Sequence, residues 1–178
     1  MNLKEVTIDY SEFKDRDLLE VIFEKQQVLI DLYKVPEVDL DIPSDQQILR
    51  TFAWCIVEEA AEALDVYWGT DDKDHKGDEV ADMFHFYVEL LILSGFNYKD
   101  FLDELNQDST EELTRMDYNG QPSPSFESFV TQLAMSINVL KNRFWRETNL
   151  KTDQVKYKNE LKKTIPLVLQ FINSLGIT

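Results

Sequence analysis

Two pairs of acids stand three residues apart on either side of a short polar stretch. Glu59 and Glu62 lie in EEAAEALDVYW (58–68), and Glu79 and Asp82 lie in DEVADMFHF (78–86). Residues at i and i+3 of an α-helix share a face, so two antiparallel helices joined by a short loop bring both pairs together. Four carboxylates at one point repel one another, and the conflict is relieved by taking up protons or by a cation. An all-oxygen site of this kind suits Mg²⁺, with Mn²⁺ as the second choice.

Acids on helices are ordinarily solvated, so their position around each helix decides the reading. At about 100° per residue, Phe52, Ile56, Ala60, Ala63 and Tyr67 cover one arc of the helix carrying the first pair. Glu58 and Asp65 lie opposite, on the solvent side. Glu59 falls between Val66 and Phe52, inside the apolar arc, and Glu62 sits at its border beside Cys55. The helix of the second pair is apolar nearly all round (Val80, Met83, Phe84, Tyr87, Val88, Leu90, Leu91 and Ile92) and is expected to be buried. Its polar residues Asp78, Asp82, His85 and Glu89 gather in one wedge, with Glu79 apart from them, between Phe86 and Leu90. An ionised carboxylate buried without a partner costs several kcal/mol, so inward-facing acids ask for cations. A ferritin-like di-iron centre needs Glu-x-x-His on two helices. The expected helices hold one acid-x-x-His, Asp82-x-x-His85, and His75 falls in a loop, which argues against iron.

The elements that must position these acids are read from apolar periodicity. About six helices are expected, in an all-α bundle. The first runs from about Asp15 to Tyr33, with a stripe of Leu18, Leu19, Ile22, Phe23, Leu29, Ile30 and Leu32. Ser44 is the expected N-cap of the second, and Gly69 suits its C′ position. The loop TDDKDHKG leads to a third helix from about Asp78 to Ser94, closed by Gly95. A fourth spans Tyr98 to Met116, and after the break YNGQPSPS two more cover Phe126 to Glu147 and Asp153 to Leu175. These last two can be laid on helices two and three, AMSINVLKNRFW (134–145) falling on VEEAAEALDVYW (57–68). Ser136 and Val139 then stand opposite Glu59 and Glu62, Lys163 opposite Asp82, and Glu160 alone matches Glu79. On this reading residues 1–120 hold the chemistry. Residues 121–178 form a helical pair, and whether it is a degenerate repeat completing the same bundle is left open.

Composition sets outer bounds. The chain has 178 residues, enough for one domain with its own core. Its 43% hydrophobic content argues against disorder. Five Gly and five Pro among long periodic segments favour helices over a sandwich or barrel. A formal charge of −16 should repel nucleic acid polymers and anionic membranes, unless metal cations stand between. The single cysteine, Cys55, precludes a disulfide framework and fits a reducing compartment. MNLKEVTIDYSEF lacks the cationic and apolar regions of a signal peptide, and no apolar run approaches the ~20 residues of a membrane span. A soluble, cytoplasmic protein is expected.

With EE-x-x-E (58–62) in one helix and E-x-x-D (79–82) in the next, the sequence resembles the all-α nucleoside triphosphate pyrophosphatases. That superfamily includes MazG-like enzymes, dimeric dUTPases and phage dCTP pyrophosphatases. DEVADMFHF and Tyr67-Trp68 look most like the dUTPase and dCTPase branch. The likeness covers about residues 15 to 120 and is strongest over 54–96. It implies a four-helix core with a metal site between helices two and three. It also implies Mg²⁺-dependent hydrolysis of a dNTP, dUTP first and dCTP next, to the monophosphate and pyrophosphate. Glu59, Glu62, Glu79 and Asp82 would hold the metal, and Glu59 would also serve as general base. Lys73, Lys76 and Arg115 are candidate phosphate contacts. Trp54 and Trp68 are candidate stacking surfaces for the base, and His85 a candidate for orienting a carboxylate. Dimeric dUTPases often carry Gln followed by Leu-Asn in the first helix. Here FEKQQVLID offers Gln26 or Gln27, of which Gln27 is taken as the substrate contact, with Ile30 or Asp31 where Asn is expected. After helix four, NQDSTEELTRMDYNG keeps Arg115 but has Glu112 near the place of an Asn. The resemblance further implies a homodimer. Two other classes stand beside this one: a non-catalytic protein that sequesters nucleotides through the metal, and an acidic decoy for protein partners.

Overall fold

Helices begin and end where the chain offers or withdraws backbone partners. The computed structural model describes residues 14–69, 73–107, 122–143, 145 and 150–177. Within them lie α1 (Leu18–Tyr33), α2 (Pro43–Gly69), α3 (Lys73–Leu93), α4 (Tyr98–Gln107), α5 (Pro122–Val139), α6 (Gln154–Lys162) and α7 (Thr164–Ser174). The architecture is all-helical, with no strand among the described residues. No helix there is long and apolar enough to cross a membrane.

α1 starts at Leu18 because the Asp17 carboxylate accepts from the Leu19 and Glu20 amides. Tyr98 donates its hydroxyl to the same carboxylate at 2.8 Å, tying α1 to the start of α4. The buried face of α1 is Val21, Phe23, Gln26 and Ile30. Leu18, Leu29 and Leu32 of the expected stripe are exposed instead. α1 carries apolar residues on both sides, so periodicity alone does not say which side turns inward.

α2 begins two residues earlier than a Ser44 cap would allow. Pro43 has no N–H to leave unsatisfied and a φ already suited to a first helical position. The Ile42 carbonyl accepts the first helical amide, from Gln46, and the Ser44 hydroxyl donates to Asp45. The helix runs through Gly69. α3 begins at Lys73 rather than Asp78. A single Gly inside a helix costs only about 1 kcal/mol, and Gly77 is carried through. At its other end α3 closes as expected on Gly95, whose φ is 78°. The Gly95 amide donates to Ile92 and the Phe96 amide to Leu91, the paired bonds of a Schellman cap, with Phe96 buried behind them.

α2 and α3 form the principal helix pair. Phe52 meets Phe86 near one end and Glu59 meets Glu79 further along, so one number rises as the other falls and the two helices are antiparallel. One continuous apolar core joins them to the rest of the chain. Leu49 and Ile56 of α2, Met83 and Tyr87 of α3, and Phe101 of α4 share it with Phe129 of α5, Leu161 of α6 and Phe171 of α7.

The C-terminal part departs from two expected long helices. α4 is described to Gln107, and its expected run to Met116 lies outside the described residues. α5 ends at Val139 rather than near Glu147. Past that point Arg50 of α2 donates to the carbonyls of Leu140 and Asn142, and Arg143 donates to the same two. Asn142 in turn donates to the Asp41 and Leu150 carbonyls. Backbone groups that a helix would have used are thus taken by side chains. The final helix is divided at Lys163 into α6 and α7. Pro166 offers no amide to the preceding turn, so the helix restarts. Both departures fall in segments that the alignment with α2 and α3 needs helical.

Candidate metal centre

The α2–α3 pairing decides which acids converge. One ligand oxygen each from Glu59, Glu79 and Asp82 lies within 4.8 Å of the others, as a shared cation would require. Glu59 and Glu79 are half-buried and Asp82 is exposed, so the group sits at the mouth of the helix seam rather than in the core. Glu62 is exposed and is not among the three. Its charge still reaches Glu59.

Burial pushes the Glu59 carboxyl above its ordinary range, and the charges of Glu62, Asp82 and Glu79 push it further the same way. A hydrogen bond from Glu59 to Glu79 holds its protonated form. His75 stands one turn before Glu79, with its Nε2 3.0 Å from Glu79 Oε1. This contact was not expected, because Gly77 reads as a helix breaker and leaves His75 in a loop. The i, i+4 spacing of His75 and Glu79 is the signal that finds it once α3 is extended upstream.

The remaining candidates are dispersed. Lys76 is half-buried at the hairpin end of the seam, its Nζ 5.0 Å from the centre of the Tyr67 ring. His85 is exposed, one turn beyond Asp82. Trp54 and Trp68 are 62% and 61% exposed. They lie about 140° and 180° around α2 from Glu59, so the structure does not bring them to the acids. Gln27 is exposed, donates to Asp31 on its own helix, and lines a cleft of about 710 Å³ with Leu40, Ile92 and Gly95. That cleft lies at the far end of α3, about 20 Å from Glu79 by helix rise, and contains none of the converging acids. Its neighbour Gln26 is the inward residue, 5% exposed, and donates to Glu89 on α3. Arg115 and the Lys73 side chain lie outside the described residues.

The position that sequence alignment sets opposite the second acid pair is self-neutralised. Lys163 stands 2.9 Å from Glu160, and Gln132 donates to the same carboxylate. Both hold the Glu160 carboxyl below its ordinary range, Lys163 the more strongly. No cation is needed there. At Glu59, Glu79 and Asp82 the three carboxylates offer hard oxygen donors, and the upward push on Glu59 is the kind that a divalent ion relieves. The donor set therefore fits Mg²⁺ or Mn²⁺.

Comparison of the chain with family models, with curated proteins and with solved structures found no match in any of the three.

Proposed function

We propose that the chain is a Mg²⁺-dependent nucleotide diphosphatase that hydrolyses a dNTP between its α and β phosphates, giving the dNMP and pyrophosphate. The observation that carries this reading is the convergence of Glu59, Glu79 and Asp82 from two antiparallel helices. In this reading α1–α4 form the catalytic core, of the kind the sequence resembles, and α5–α7 cover it.

When bound, Mg²⁺ would neutralise phosphate oxygens and acidify a coordinated water. The protein's own groups do the rest. Glu59, enclosed and already inclined to hold a proton, accepts the proton of the attacking water at its carboxylate. His75 holds the Glu79 carboxylate in place from the solvent side. Lys76, at the hairpin end of the seam, offers its ammonium to the outgoing phosphates. The chain's charge of −16 would otherwise oppose a triphosphate, so cations at this point are needed for encounter as well as chemistry.

Purified protein with Mg²⁺ should release pyrophosphate from at least one dNTP, and Glu79→Gln should abolish that release. A wild-type protein inactive across a full panel of canonical and modified nucleotides would end this reading. Mg²⁺-dependent nucleotide binding without product would point to sequestration instead.

A further inference from the structure

The seam between α2 and α3 continues beyond the acids. One turn back along α2 from Glu59 stands Cys55, and two turns along α3 from Asp82 stands Glu89. Burial pushes the Cys55 thiol up, and the charges of Glu58, Glu59 and Glu89 add to it. The rings of Phe52 and Phe86, both half-buried, meet across the same seam with centroids 6.2 Å apart. At Glu89 a third helix joins, where Gln26 of α1 donates Nε2–H to Glu89 Oε2 at 2.9 Å. Gln26 is buried and Glu89 half-buried, so the carboxylate is fixed in direction while part of it remains reachable.

Resting on the diphosphatase reading above, we propose that Glu89 selects the base by accepting an exocyclic amino group, so that the substrate is an amino-bearing nucleotide, with cytosine preferred over uracil. The acid group orients the substrate, since its phosphates would go to the cation that Glu59, Glu79 and Asp82 would hold. A carboxylate at Glu89 repels phosphates and so must face the other end of the nucleotide. The two helical turns from Asp82 to Glu89 rise about 10 Å, the order of the span from a 5′-phosphate to the edge of its base.

Gln26 occupies Glu89 Oε2 and leaves Oε1 as an acceptor. Cytosine presents an N4 amino donor at the position where uracil and thymine present the O4 acceptor. The amino group meets Oε1 as a hydrogen bond, and O4 meets it lone pair to lone pair. Gln26 is a positioning residue, acting only through Glu89. This reverses the order of dUTP and dCTP suggested by the sequence resemblance.

The test compares kcat/KM for dCTP and dUTP on the full chain with Mg²⁺. Wild type should prefer dCTP by roughly 10-fold or more, the usual worth of one good base contact. Glu89→Gln can turn an amide N–H towards O4, so it should lower kcat/KM for dCTP and narrow or invert the dCTP/dUTP ratio, with the melting temperature reporting that the variant is folded. Hydrolysis without discrimination, or an unchanged ratio in Glu89→Gln, overturns this inference and leaves the diphosphatase reading standing. Absence of hydrolysis with every dNTP overturns both. If Glu89→Gln does not fold, Gln26→Met releases the carboxylate without removing it. A raised KM for dCTP with little change in kcat then supports the inference, and an unchanged KM overturns it.

Discussion

Glu59 bears most of the cost of assembling the acids, and its pH behaviour can be worked out from sign alone. Its carboxyl is raised above the ordinary 4.5, by burial first and then by Glu62, Asp82 and Glu79. A raised acid stabilises the fold in its protonated form. That stabilisation is complete below the unfolded value and is lost as pH rises through the folded one. The metal-free protein should therefore lose stability between weakly acidic and neutral pH. Glu59→Gln removes this slope and, while abolishing turnover, should raise the neutral-pH melting temperature by about 2 °C, as expected from relieving ~0.5–1 kcal/mol of like-charge repulsion. Below pH 4.5 wild type and variant should melt together in thermal scans, and a lower neutral-pH melting point for the variant would contradict the account. The inward turn of Glu59 was legible in the sequence, because the apolar arc of α2 is one-sided around it. The choice between Gln26 and Gln27 was not. One residue is about 100° of rotation, and Val28, Leu29, Leu32 and Tyr33 make the outer face of α1 as apolar as its inner one.

Helix ends divide into those written locally and those imposed from a distance. Asp17 and Gly95 act on amides within a few residues of themselves; the Gly95 end is read from sequence, whereas the expected start near Asp15 passes over the Asp17 cap that begins α1 at Leu18. The end of α5 cannot be read from sequence, because its agents lie 90 or more positions away. Arg50 reads as one more cation on a helix, yet its side chain holds the Leu140 and Asn142 carbonyls and the Gln46 side chain. Burial lowers its pKa to about 10, with Arg143 nearby adding to the effect. Gln46 and Thr152, both buried, bind each other and the Leu40 carbonyl beside it. Local chemistry supports a quantitative expectation at Gly95. A Cβ there would meet the end of the Lys158 side chain at 3.1 Å, which can give way by a few tenths of an ångström, so the main penalty comes from the backbone at φ 78°. Gly95→Ala should cost about 1 kcal/mol and lower the melting temperature by roughly 3 °C. A variant melting with wild type would show that the Schellman turn is not under φ constraint.

Across the whole molecule, excess negative charge competes with a single apolar core that draws on α1 to α7. Composition made the helical class legible, but not how the two halves share one core, since that depends on packing between residues as distant as Tyr87 and Phe129, whose ring centroids lie 5.9 Å apart. Any salt should stabilise a chain of charge −16 by screening, and the screening length is about 10 Å at 0.1 M. A dedicated site adds a separate effect, which grows with ligand concentration over its dissociation constant and is absent for ions that do not fit. Melting curves in MgCl₂ and NaCl at matched ionic strength divide the two. Wild type should gain extra stability in Mg²⁺, up to about 2.7 kcal/mol at a hundredfold excess over Kd. Glu79→Gln should keep the shared salt response and lose the Mg²⁺ excess, because it removes one of three converging ligands while leaving the remaining surface acids in place. Equal gains in the two salts would mean that Glu59, Glu79 and Asp82 are neutralised by the diffuse ion atmosphere alone. The diphosphatase reading would then lose its physical basis, since charge repulsion at the seam would need no bound ion to resolve it.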